Sequence, residues 1–207
     1  MNCFITGTDT DVGKTYVASL LLRGLRAEGV DAVGIKPICC GGREDAEILH
    51  VASEGRISLN DVNPVWLRTP AAPYTASMIE ERMVDLDAIR ENFARLRRDH
   101  AVVVVEGAGG WLVPIRRDFF VADLAAEMNL PIVVVAANKL GALNHTLLTV
   151  RDIQARGLSC AGVILNDIGS DDVIATTTNR GVLETLLDVP ILCEVARGQT
   201  ELRLRVV

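Results

Sequence analysis

The chain has 207 residues, a net charge of −6, and 49% hydrophobic but only 4% aromatic content. That length suits a single domain, residues 1–207, with a sizeable core, and the acidic balance argues against nucleic acid or a membrane surface as partner. No apolar run reaches the ~18 residues of a spanning helix, and no basic stretch precedes the apolar start, so a cytoplasmic location without a signal peptide is expected.

The first informative stretch is Gly-Thr-Asp-Thr-Asp-Val-Gly-Lys-Thr at 7–15. A short apolar segment at 3–5 precedes it and an apolar-periodic run at 16–25 follows, which predicts strand, loop and helix. A loop ending Gly-Lys-Thr at a helix start holds polyphosphate: backbone N–H groups converge on one concavity and the helix dipole adds positive charge there. Lys14 is expected to reach the β- and γ-phosphates and the Thr15 hydroxyl to sit on Mg²⁺. Gly13 leaves room for the phosphate where a Cβ would stand. The usual spacing has glycine at position 8; this chain has Thr8, with Gly7 one residue earlier.

Beyond the first helix, Gly29 is a C-cap signal and 31–35 reads as a strand leading to Lys36. A lysine leaving the carboxyl end of a strand in an α/β sheet faces the ligand crevice. Asp45 opens a short helix reaching Ala52. Residues 53–84 carry Pro64, Pro70 and Pro73 with weak periodicity and read mostly as loop and short turns. A helix follows over 85–98, where Leu86, Ile89, Phe93 and Leu96 recur at helical spacing and arginines at 95, 97 and 98 suit a C-terminal turn.

Four successive valines at 102–105 mark a central parallel strand, and Glu106 with Gly107, Ala108, Gly109 and Gly110 comes at its tip. A carboxylate there, beside a phosphate loop, is placed for a second Mg²⁺ contact. The remaining chain alternates: helix 121–128, strand 132–136, helix 143–156, strand 161–165 ending at Asn166 and Asp167, helix 172–187 and strand 190–193. The expected fold is a doubly wound α/β domain of the P-loop NTPase type, its mostly parallel sheet flanked by helices. The five cysteines show no metal-ligand spacing and read as reduced thiols.

Several blocks in order, 7–15, Gly-Ile-Lys-Pro at 34–37, Asp45, Val-Glu-Gly-Ala-Gly-Gly-Trp at 105–111, Lys-Leu-Gly and Asn-His within 139–145, and Leu-Asn-Asp at 165–167, together resemble the dethiobiotin synthetase family. The resemblance covers nearly the whole chain. It implies a MgATP-dependent carboxylation of 7,8-diaminononanoate with CO₂ to dethiobiotin, ADP and phosphate, through a carbamate and its phosphoric anhydride.

By that resemblance Lys36 and Lys14 are catalytic, and Thr15, Asp45 and Glu106 are the metal ligands. ATP is held by Asp11, Val12, Gly13, Lys14, Thr15, Tyr16, Asp45, Glu106, Gly107, Ala108, Gly109, Asn166 and Asp167, with Asn166 on the adenine. The diamine is held by Thr10, Lys36, Cys40, Gly109, Gly141 and Asn144, and the enzyme is a homodimer.

Three departures from the family pattern stand out. Cys40 replaces a common serine, Pro70-Ala71-Ala72-Pro73-Tyr74 lacks the usual serine and histidine, and 194–197 replaces a proline-rich stretch. Two alternatives remain at this point: another ATP-dependent amide ligase, and a switch ATPase of the positioning type. The first usually carries a glutaminase domain that 207 residues cannot hold. The second carries an extra lysine early in the phosphate loop, which 8–12 lacks.

Overall fold

The computed structural model describes residues 2–171 and 173–204. In chain order the elements are β1 (Cys3–Gly7), α1 (Lys14–Ala27), β2 (Ala32–Ile35), β3 (Ile38–Cys40), α2 (Glu44–Ala52), α3 (Leu59–Val62), β4 (Val65–Leu67), α4 (Pro73–Ile79) and α5 (Leu86–Asp99). There follow β5 (Val102–Gly110), β6 (Pro114–Arg116), β7 (Phe119–Phe120), α6 (Val121–Met128), β8 (Ile132–Ala137), α7 (Ala142–Ala155), β9 (Cys160–Asn166), α8 (Val173–Leu186) and β10 (Ile191–Val195).

Six strands form one sheet in the order β10-β9-β8-β1-β5-β2, every neighbouring pair parallel. Every residue of β1, β2 and β8 is buried. Strands covered on both faces need no polar alternation, which is why they read as unbroken Val, Ile and Ala runs. β1 lies at the centre: β2 and β5 lie to one side and β8, β9 and β10 to the other, so the chain reverses its winding there. That reversal opens a crevice at the carboxyl ends of the strands.

Register fixes what meets in that crevice. Ile35 pairs with Val105 across β2 and β5, so Lys36 and Glu106, one residue further along each strand, stand side by side. Ile5 pairs with Glu106 across β1 and β5, placing the phosphate loop on the other flank of the same carboxylate.

Most of the expected elements are present, with boundaries moved by a residue or two. The segment 53–84 is a correction: it carries α3, β4 and α4, and β4 pairs in parallel with β3 as a small second sheet. These elements are three to seven residues long, too short to show a period. β5 runs on through the glycines to Gly110, and β6 and β7 make an antiparallel hairpin that the chain reading did not anticipate. The expected helix start at Asp172 lies outside the described residues; the helix is described from Val173.

Candidate functional site

The phosphate loop leaves β1 and returns as α1. Gly13, at φ 89°, is the left-handed residue that turns the loop into the helix. A Cβ there would stand 2.1 Å from Asn166 Nδ2, so glycine is required by both backbone and space. Asp11 is also left-handed, at φ 57°. Lys14 is buried and donates from Nζ to the carbonyl of Asp9 at 3.0 Å, folding back over its own loop. Burial, reinforced by the charge of Lys36, lowers its ammonium to about 8, with Glu106, Asp45 and Asp11 opposing.

Beside the loop stands an ion cluster. Lys36 Nζ donates to Glu106 Oε1 at 2.5 Å and to Asp45 Oδ2 at 2.8 Å, and Thr15 Oγ1 donates to the same Glu106 oxygen at 2.7 Å. Glu106 is wholly buried, and its Oε2 has no hydrogen-bond partner. Burial pulls the Lys36 ammonium down, but the two carboxylates and their hydrogen bonds outweigh it, and the group lies above its ordinary range. For Asp45, burial pushes the carboxyl up; the Lys36 charge and hydrogen bond, the Thr15 hydrogen bond and the Lys14 charge prevail and hold it low.

The backbone of Lys36 is itself fixed. Its N–H donates to the Val62 carbonyl at 2.8 Å, and the buried Asn63 side chain donates to its carbonyl at 2.9 Å. Asn63 was not singled out in the sequence. Its position just before Pro64 reads as a turn residue, and only α3 brings it back to Lys36.

Two cavities meet at Lys36. One, of about 310 Å³, is lined by Thr10, Asp11, Gly13, Lys14, Thr15, Lys36, Asp45, Glu106 and Gly109. The other, of about 400 Å³, shares Thr10, Lys36, Asp45 and Gly109 with it. Beyond them its wall is mainly apolar, from Ile38, Cys39, Cys40, Pro70, Ala71, Ala72, Pro73, Ala108 and Val113. A space lined by the phosphate loop and an apolar-walled space therefore share one lysine and one carboxylate.

The other expected site residues fall in different places. The buried Val12 carbonyl accepts from Asn166 Nδ2 at 3.0 Å, leaving Asn166 Oδ1 buried and unpartnered. Gly107 packs under Phe4 and Val121, and Asp167 caps its own turn by accepting from the Gly169 N–H. Tyr16, on the first turn of α1, donates its hydroxyl to the carbonyls of Gln199 and Ala196 at 2.7 and 3.2 Å. Gly141 is the left-handed N-cap of α7. Neither it nor Asn144 lines either cavity. His145 lines a third space with Trp111 and Asp152.

Among the described residues no three His, Cys, Asp or Glu side chains gather as a metal centre of their own. Thr15, Asp45 and Glu106 nevertheless form an all-oxygen set, and the orphaned Glu106 oxygen leaves one donor position open within it. That chemistry fits a hard divalent cation shared with phosphate oxygens.

A phosphate loop on the central strand of a parallel sheet, with carboxylate and lysine at neighbouring strand ends, defines a P-loop NTPase. Solved structures agree on the fold: MinD, the septum site-determining protein of Pyrococcus horikoshii, matches with a TM-score of 0.57 at 17% identity, covering 95% of this chain and 82% of that one. A chain of the MinC:MinD cell division protein complex of Aquifex aeolicus matches at 0.60 and 18% identity, over 94% and 80%. An AAA domain family profile matches residues 1–199.

Sequence relatives are more specific. The ATP-dependent dethiobiotin synthetase BioD of Akkermansia muciniphila is 44% identical over 96% of this chain and 93% of its own length. The protein of the same name from Anaeromyxobacter dehalogenans strain 2CP-C is 48% identical over 94% and 93%. The chain belongs to the ATP-dependent dethiobiotin synthetase family, and it is an ATP-dependent ligase.

Proposed function

We propose that this single-domain chain, residues 1–207, makes dethiobiotin from 7,8-diaminononanoate, CO₂ and MgATP. The observation that carries this reading is the meeting of the two cavities at Lys36 and Asp45. The triphosphate lies along the phosphate loop, with Lys14 and Lys36 on its terminal phosphate. The vicinal diamine lies at the polar end of the larger cavity, its hydrocarbon chain along Ile38, Cys40 and the Pro70–Pro73 wall.

One neutral amine of the substrate adds to the carbon of CO₂, a C=O π pair moves onto oxygen, and the nitrogen releases a proton to give a carbamate. A carbamate oxygen then attacks the γ-phosphorus: an O–P bond forms, the β,γ-bridge bond breaks, and ADP leaves. The second amine attacks the anhydride carbonyl, the C–O bond to phosphate breaks, and phosphate leaves as the amine loses its proton. The reacting groups are competent on their own, so the protein's task is alignment and charge neutralisation. The lysine ammoniums of 14 and 36 face the oxygens on which charge accumulates. Thr15, Asp45 and Glu106 would hold Mg²⁺, which supplies charge neutralisation on phosphate oxygens.

Asn166 offers an acceptor to the adenine amine, with its own amide tied to Val12. The active form in this reading is a homodimer, in which Gly141 and Asn144 would enter the substrate site from the second copy. The free cysteines suit the reducing cytoplasm. Neither nucleic acid nor membrane is a partner in this reading, in keeping with the acidic charge balance.

The test is incorporation of labelled bicarbonate into acid-stable product with the diamine and MgATP. Label fixation that requires the diamine and disappears in Lys36→Ala is the expected result. ATP hydrolysis without label fixation would overturn the substrate assignment.

A further inference from the structure

Among its described residues α8 buries only Asn179 and Leu183, one helical turn apart. Leucine at such a position is ordinary; asparagine is not. A carboxamide in the interior costs free energy unless it is fully hydrogen-bonded, and an apolar residue of similar volume would anchor the helix without that requirement.

Asn179 is satisfied in a particular way. Its Nδ2 donates to Asn138 Oδ1 at 2.9 Å and to the Lys139 carbonyl at 3.0 Å. Asn138 lies just past the end of β8, is 6% exposed, and donates from its own Nδ2 to the Thr176 carbonyl of α8 at 2.9 Å. The two carboxamides thus lock α8 onto the end of β8 from both directions. The backbone continues the line: Asn138 N–H donates to the Asn166 carbonyl at 2.8 Å. Asn166 Nδ2 in turn holds the Val12 carbonyl, one residue before the left-handed Gly13. Neither Asn138 nor Asn179 lines the phosphate-side cavity.

We infer that Asn138 and Asn179 are positioning residues for the nucleotide, holding α8 and the end of β8 so that Asn166 supports the phosphate loop in its binding shape. Resting on the nucleotide reading above, this adds to it two side chains that act through Asn166. The carboxamides serve register: a helix held by apolar contacts alone can slide by fractions of a turn, whereas one held by two directional bonds cannot. The loop between β9 and α8 is thereby held at both ends.

The test is calorimetric titration of the full chain with MgADP, which does not depend on the diamine. Asn179→Leu and Asn138→Leu should each weaken MgADP about tenfold, as loss of a supporting hydrogen-bond partner does elsewhere. The diamine KM, measured at saturating ATP, should stay within twofold. Because the two side chains bond to each other and reach the nucleotide through the same Asn166 contact, the double variant should bind no more weakly than the poorer single one.

Asn179→Ala removes the donor without adding bulk or charge to the interior, and it should weaken MgADP equally; it decides the matter if the leucine variants fail to fold. Folded variants that bind MgADP like the unaltered chain would overturn the inference and leave the nucleotide reading intact. Fully additive losses, or a diamine KM that rises in step with the MgADP constant, would likewise overturn it. An unaltered chain that binds no MgADP would overturn both.

Discussion

Lys36 and Glu106 stand 70 positions apart in sequence, yet their side chains meet at 2.5 Å in the crevice at the carboxyl ends of the strands. Both are buried, Lys36 at 5% and Glu106 at 0% exposure, so the Glu106 carboxylate relies on the lysine for its charge partner. Removing Lys36 leaves a buried carboxylate facing Asp45, and Lys36→Ala should lose roughly 3 kcal/mol of stability, as expected when one partner of a buried pair is removed. Urea denaturation measures this. Replacing both residues, Lys36→Met with Glu106→Leu, should be less destabilising than Lys36→Ala and should abolish label fixation.

Gly13 and Gly29 both have positive φ, but their surroundings differ. A Cβ on Gly13 would collide with Asn166, whereas one on Gly29 meets nothing within 4 Å. Gly29→Ala should therefore cost only ~1 kcal/mol of stability, the price of a left-handed alanine, and leave activity intact. Gly13→Ala should reduce MgADP affinity on the order of a hundredfold by spoiling the phosphate concavity. Titration calorimetry beside thermal melting separates the two effects.

Cys40 lines the larger cavity with a thiol that burial pushes up to about 11. A neutral thiol is a weak donor. Cys40→Ser supplies a stronger one at nearly the same volume, and the diamine KM should fall about threefold with kcat unchanged. An unchanged KM would mean that the substrate takes no hydrogen bond from this position.

Asp152 accepts from Trp111 Nε1 at 2.7 Å and from Arg156 Nε at 2.6 Å, joining the loop after β5 to α7. Burial raises its carboxyl, but the Trp111 and Arg156 hydrogen bonds and the Arg156 charge prevail and hold it low. A carboxylate whose folded pKa is depressed contributes stability above its unfolded value, about 3.9, and that contribution is lost as pH falls through the lower folded value. Acid denaturation followed by tryptophan fluorescence should show this loss below about pH 4. Asp152→Asn should remove that part of the acid limb and lower stability at pH 7.

The parallel core was legible because burial on both faces writes itself as runs such as Val102 to Val105. The ligand crevice was legible too, since Lys36, Glu106 and Asn166 all come at the ends of such runs. What the runs cannot give is register: that Lys36 stands beside Glu106 follows only from the pairing of Ile35 with Val105. The region 53–84 stayed opaque because α3, β4 and α4 are too short for a period, and Asn63 serves Lys36 through a fold-back that no spacing encodes. Asn179 was hidden for the opposite reason: a polar residue in an amphipathic helix looks solvent-facing until the helix is docked.

The tail of the described chain lies along α1: the Leu202 N–H donates to the Leu20 carbonyl, and the Leu202 carbonyl presses so closely on Gly24 that a Cβ there would stand 2.2 Å away. Early and late residues are thus interleaved. β1 finds no strand partner until β5 and β8 exist, and the flank of the helix carrying Lys14 is not covered until residues near 202 have been made. The strand that leads into the phosphate loop therefore rests on pairings with residues about a hundred or more positions away, and its support is non-local throughout.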